Sequence, residues 1–151
     1  MNNEALKAEL VALFPDAAIE EGPQWVTLSV VPVLWKDIAW ELRTNTELNF
    51  DFLFSLTCID WKTQLTMVYH LTSTQHRHTI VVKSNLSRDI PEIDTVSDVW
   101  RTAEFHEREV FDLFGVVFKQ HPDLRRLFMT DEYEGWPLRK DFEDAINMIR
   151  L

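Results

Sequence analysis

Two stretches of this chain carry side chains suited to acid–base work. His121-Pro122-Asp123 is followed at once by Leu124-Arg125-Arg126, and Glu107 lies on a charged segment just upstream. A histidine, a neighbouring carboxylate and a second acid are the parts of a proton-transfer site. Such a site also needs a nucleophile or a substrate pocket, and the sequence supplies neither. The other use of these residues is a turn in which His121 or Asp123 fixes the backbone. Arg125 and Arg126 offer planar, two-pronged donors that suit carboxylates, either Glu107, Glu109 and Asp112 of this chain or acids on a neighbour. His76 and His78 share one face of a strand, but two histidines without a third ligand seldom hold zinc. Gly135 stands alone in its segment and cannot form the amide cradle of a phosphate loop.

Recognition of another protein fits the remaining residues better. On a helix near residues 99–114, Val99, Ala103, His106, Val110, Leu113 and Phe114 share one face, which reads as core. Arg101, Glu104, Phe105, Arg108, Glu109 and Asp112 share the other. Glu104–Arg108 and Arg108–Asp112 are spaced as i,i+4 pairs, and an aromatic ring among these charges suits an interface anchor. Farther on, Trp136 and Phe142 provide contact area, Pro137 stiffens the chain, and Arg139, Lys140 and Asp141 set register. The candidate partner-binding set is therefore Phe105, Glu107, Arg108, Glu109, Asp112, His121, Asp123, Arg125, Arg126, Trp136, Arg139, Lys140, Asp141 and Phe142.

Composition narrows the class. At 151 residues with 46% apolar and 26% charged residues, the chain has enough material for one domain with its own core. The lone Cys58 excludes an internal disulfide and any cysteine-held cluster within the chain. Net charge is −10, of which −9 falls before Lys119, leaving the rest near neutrality. An acidic body argues against nucleic acid, whose phosphates need a basic surface. No apolar run reaches the roughly 20 residues of a bilayer span, and the N-terminus lacks signal-peptide character.

The elements that must position these residues follow from periodicity. Leu6, Leu10, Leu13 and Phe14 recur at helical spacing, and Pro15-Asp16 ends that helix. Residues 25–31 alternate as a strand, and Pro32 opens a second helix with a stripe of Leu34, Trp35, Ile38 and Leu42. Residues 50–58, 65–71 and 78–84 alternate again, with a polar turn at Thr72-Ser73-Thr74-Gln75, which predicts an antiparallel meander. The expected class is α+β, a mainly antiparallel sheet of about four strands with helices packed on it. After Gly115 no period holds, so the expected division is a body of residues 1–118 and an extended docking arm of residues 119–151.

Read in order, Glu107-Arg108-Glu109, Asp112, Phe114-Gly115, His121-Pro122-Asp123-Leu124-Arg125-Arg126 and Gly135-Trp136-Pro137-Leu138-Arg139-Lys140-Asp141-Phe142 resemble one family signature. It is that of the C subunit, or 30 kDa subunit, of the proton-pumping NADH:quinone oxidoreductase, respiratory complex I. Phe54 to Trp61 and the approach from Val99 to Ala103 share the resemblance. Gln120 departs from it, standing where the family usually has glycine, so a positive φ there would cost energy. The resemblance implies a non-catalytic subunit of the peripheral arm that holds the quinone-reducing module together. It implies contacts with other complex I subunits, mainly the large quinone-site subunit. Flavin and iron–sulfur clusters are then expected in partner subunits, with none in this chain. The expected location is peripheral, on the cytoplasmic face of the inner membrane. The signature also fits the equivalent subunit of a membrane-bound hydrogenase or other energy-converting dehydrogenase. A free-standing acid–base enzyme using His121, Asp123 and Glu107 is the remaining alternative.

Overall fold

The computed structural model describes residues 2–130 and 132–141. Helix α1 (Asn3–Leu13) starts where the Asn2 side chain accepts the Ala5 N–H, an N-cap that satisfies one orphan donor. Two short strands follow, β1 (Ala18–Glu21) and β2 (Val26–Ser29), then α2 (Pro32–Thr44) with proline in its first turn. Three strands of nine residues each come next: β3 (Phe52–Asp60), β4 (Gln64–Thr72) and β5 (Thr79–Ser87). The short β6 (Glu92–Asp94) leads to α3 (Ala103–Phe114), and β7 (Val117–Lys119) pairs back on β6.

The class is α+β, with a mostly antiparallel sheet of five strands in the order β1-β2-β5-β4-β3. The expected meander is present as β3-β4-β5. One pairing, β2 with β5, is parallel. The sheet has one strand more than periodicity predicts. Ala18-Ile19-Glu20-Glu21 is an exposed edge whose single large apolar side chain, Ile19, leaves no alternation to read.

Strand parity sets the core. Val26, Leu28, Leu56, Met67, Tyr69, Leu71, Ile80 and Val82 point to one face and are buried with Leu6, Leu10, Trp35, Ala39, Leu42 and Val110. Trp35 lies against Tyr69 and stacks on Trp100, whose indole N–H donates to the Phe50 carbonyl at 2.7 Å. The predicted stripe of α2 is rotated. Trp35, Ala39 and Leu42 are buried, whereas Leu34 is half exposed.

Two turns at the end of the body show opposite glycine logic. Gly115 closes α3 at φ +78°, the left-handed cap that glycine adopts freely. A Cβ there would lie 2.5 Å from Cε2 of Trp136, so the residue is also needed for close packing. Gln120 has φ +66°, so the position where the family resemblance calls for glycine does take the left-handed backbone. Gly115→Ala should therefore cost roughly 2–4 kcal/mol, combining backbone strain with overpacking. Gln120→Gly should gain up to about 1 kcal/mol. Urea unfolding of the two variants checks both signs.

Candidate functional site

Helix α3 is covered on both sides. Its apolar stripe lies on the sheet, and residues 120–130 and 132–141 lie across the opposite side as a series of turns. The charged face expected to meet solvent or a partner is therefore roofed by the chain itself. Glu107 and Asp112 have no exposed surface and Arg108 has 8%. Neither i,i+4 pair forms as an ion pair among the described residues, because Arg108 and Asp112 are used across the helix–arm junction.

Asp112 is the seat of the arm. One carboxylate oxygen accepts three consecutive backbone N–H groups, from Leu127 at 3.3 Å, Phe128 at 2.6 Å and Met129 at 3.1 Å. The other oxygen faces the Arg126 guanidinium at 3.3 Å. Arg126 also donates to the carbonyls of Asp112 and Gly135, and its guanidinium lies 4.5 Å from the Trp136 ring centroid and 5.6 Å from that of Tyr133. Arg108 donates to the carbonyls of Arg125 and Arg126 and lies over the Phe105 ring. A buried carboxylate that collects this many donors is a structural anchor.

The last described residues are fixed in the same manner. Trp136 packs on Gly115 and beside Phe111, and the Leu138 N–H donates to the Leu113 carbonyl. Arg139 donates to the Phe114 carbonyl at 2.6 Å, placing a cation at the negative end of α3. The Lys140 N–H reaches Asp60, which also pairs with Arg88 and accepts the Lys62 N–H. The Arg88 guanidinium holds the Asp60 carboxyl well below the usual carboxylate range. Arg88 bridges onward to Asp141 at 3.1 Å.

Glu107 and His121 join α3 to the start of the arm. Glu107 accepts the Val96 N–H at 3.0 Å and the Thr95 hydroxyl. Burial pushes its carboxyl up to about 7, although these two bonds oppose the shift. The His121 ring is enclosed, with Nε2 2.9 Å from the Glu104 carbonyl and 3.8 Å from a Glu107 oxygen. Its Nδ1 accepts the Asp123 N–H at 2.9 Å. The ring is therefore a neutral Nε2–H tautomer with both nitrogens engaged. Asp123 turns its carboxylate outward to Arg125. The acid–base reading of His121, Asp123 and Glu107 fails on this geometry, since His121 offers no free nitrogen and Glu107 no exposed surface. His76 and His78 donate to the carbonyls of Thr46 and Leu48 and pin that loop, and no metal-binding group of three or more ligands occurs among the described residues.

Several large apolar side chains remain outward. Phe105 is 61% and Phe128 63% exposed, with Leu127 and Leu138 also exposed. Glu109 is half buried, while Arg125, Lys140 and Asp141 face solvent. Phe142 lies outside the described residues. Periodicity missed Asp60, Arg88, Leu127 and Phe128. Asp60 had a readable signal, because it continues the inward parity of Leu56 and Cys58. Phe128 had none, since its direction comes from the N–H groups that Asp112 gathers.

Comparison with known proteins places this geometry. Residues 28–145 match the family described as respiratory-chain NADH dehydrogenase, 30 kDa subunit. The C subunit of the NADH-quinone oxidoreductase of Moorella thermoacetica is 42% identical over 140 residues, 89% of this chain and 90% of its own. The same subunit of Roseiflexus castenholzii is 38% identical over 146 residues, 93% of this chain and 84% of its own. The C/D subunit of the NADH-quinone oxidoreductase of Phocaeicola vulgatus is 49% identical over 112 residues, 73% of this chain but only 22% of its own. The chain also spans 46% of the C subunit of Chloroherpeton thalassium. Among solved structures, a chain of the membrane-bound sulfane sulfur reductase, an archaeal respiratory membrane complex, superposes with a TM-score of 0.79 and 28% identity, over 94% of this chain and 86% of that one. The trypsin-resistant fragment 1–134 of Nqo5 gives 0.69 at 28% identity, over 82% of this chain and 100% of that one. Fold and sequence thus converge on one family of proteins. The chain belongs to the 30 kDa subunit family of the respiratory-chain NADH dehydrogenase.

Two outcomes are expected from these contacts. Asp112→Ala should cost roughly 3–5 kcal/mol, because it strands Arg126 and three N–H groups, and amide exchange at 127–129 should accelerate sharply in the same variant. The Glu107 carboxyl rises from 4.5 to about 7 on folding, so its protonated form favours the fold. That contribution is complete below about pH 4.5 and is lost as pH rises through 7. The stability difference between wild type and Glu107→Gln, measured by denaturant titration across pH 4 to 8, should fall over that interval and level off above it.

Proposed function

We propose that this chain is a non-catalytic structural subunit of the peripheral arm of a proton-translocating NADH:quinone oxidoreductase, where it holds the quinone-reducing module together. The observation that carries this reading is the arm itself. Arg126, Arg139 and several of its backbone groups are consumed internally, so a rigid frame presents Phe105, Leu127 and Phe128 to the outside. Preorganised aromatic groups lose little entropy on docking. The main partner is the large quinone-site subunit. The Phocaeicola vulgatus relative, whose name joins C and D, supports that choice, because in it the matching module is part of one longer polypeptide.

In this reading flavin and iron–sulfur clusters sit in partner subunits, with none in this chain. Attachment is peripheral, on the cytoplasmic face of the inner membrane, through the complex. No helix among the described residues is long and apolar enough to cross a membrane. The runner-up is the equivalent subunit of a different membrane-bound respiratory complex, favoured by the fit to the sulfane sulfur reductase chain. Relatives named NADH-quinone oxidoreductase reach 36–49% identity against 28% for that chain, which supports the first reading. Purifying the complex through a tag on this chain and assaying quinone reduction by NADH tests the choice. Absence of NADH-dependent reduction overturns it.

Truncating the arm would confuse two effects, since the arm supports α3. Surface substitution separates them. Phe105→Ser with Phe128→Ser should leave the melting temperature of the isolated chain nearly unchanged, within about 0.5 kcal/mol of stability per site. The same pair should lower co-purification of the large quinone-site partner by about tenfold or more.

A further inference from the structure

A second surface lies away from the arm, on the N-terminal half of the molecule. The end of α1, the edge strand β1 and the first turns of α2 enclose an open-sided cavity of about 680 Å³. Leu13, Phe14, Val30, Val31, Leu34 and Ile38 line it, and its walls are largely apolar. The opening turn of α2 extends this surface into solvent, with Val31 at 53%, Val33 at 81% and Leu34 at 50% exposure. Val31 and Leu34 line the groove and Val33, beside them in the sequence, stands out in water, an exposed aliphatic run of the kind that marks recognition.

Charge identifies the visitor. Asp16, after α1, and Asp37, on α2, line the same groove. Both are exposed, and neither forms an ion pair among the described residues. No lysine or arginine lines the cavity. The match to the 30 kDa family begins at residue 28, so α1 and β1, which build one wall, lie outside it, whereas α2 lies inside. The groove thus runs along the junction between the family's matched segment and the elements that precede it.

We infer that this groove is a second docking surface that takes an amphipathic helix of another protein, with its apolar stripe against Leu34 and Ile38 and flanking Lys or Arg side chains against Asp16 and Asp37. A helix laid in a groove places anchors at i, i+3/i+4 and i+7, which suits a trough of this size and lining. The rim carboxylates favour a basic ligand and repel an acidic one of the same shape.

The test uses the purified chain and two labelled helix-forming probes of roughly 14 residues with the same leucine stripe. One carries lysine on its polar face, the other glutamate. Fluorescence anisotropy should show the lysine peptide binding at least about tenfold more tightly. The double substitution Asp16→Lys with Asp37→Lys should reverse that preference. Asp89→Lys with Glu92→Lys, an equal charge change at exposed sites elsewhere, should leave it standing. Leu34→Ser with Val33→Ser should abolish binding of either probe. Equal binding of the two peptides, or equal effects of the rim and control reversals, overturns the inference by reducing it to net charge. A photo-reactive residue at Val33 provides the readout in native membranes. It should capture a protein segment with an apolar stripe and flanking basic residues; capture of lipid, of a second copy or of an acidic segment, or no capture, overturns it.

Discussion

One carboxylate organises α3 and the described residues that follow it. Asp112 sits with no exposed surface on the outer side of α3 and gathers three successive backbone donors together with a guanidinium. Leaving such a charge unpaired in the interior would be costly, so the chain that supplies the donors is bound to stay where it is. Arg126, held by Asp112, in turn lies over Trp136, and Trp136 fills the space that Gly115 leaves by having no side chain. Asp60 and Arg88 repeat the arrangement at Lys140 and Asp141. Helix and arm are thus one unit. The arm is irregular because side chains, in place of a repeating ladder, satisfy its backbone.

This changes the meaning of the charged signature. Arginines and acids spaced along an irregular tail read first as hands extended to a neighbour. Here Arg108, Asp112 and Arg126 turn inward, while Asp123 and Arg125 stay outside, and the inward set determines which way Phe105 and Phe128 point. Recognition and scaffolding are divided between residue types: charge builds the frame and rings provide the contact. The division follows from desolvation, because an ion pair exposed to water contributes little while the same pair enclosed fixes a geometry.

The sequence made the meander, the helices and the core residues legible, because alternation in 50–58, 65–71 and 78–84 and the leucines of α1 leave few other solutions. The α+β class follows from them. Strand β1 was hidden because an exposed edge has no inward pattern, and the rotation of α2 because Leu34 is apolar without being core. At the site, periodicity identified α3 but assigned Arg108 and Asp112 to the outside, since helical spacing says nothing of what lies overhead. The departure of Gln120 from the family's glycine left the turn before His121 open, and the backbone takes the left-handed conformation there at φ +66° without one.

The strand order has a consequence for how the molecule is made. The hairpins β3-β4 and β4-β5 join neighbours in the chain, so they can close as soon as they leave the ribosome. Strand β2, by contrast, must wait for β5: Val26 pairs with Ile80, and the intervening segment has to be synthesised and threaded first. Until then β2 has only β1 beside it and one edge open, the kind of state exposed to wrong partners. Joining β2 to β5 is thus the least local pairing of the five-stranded sheet.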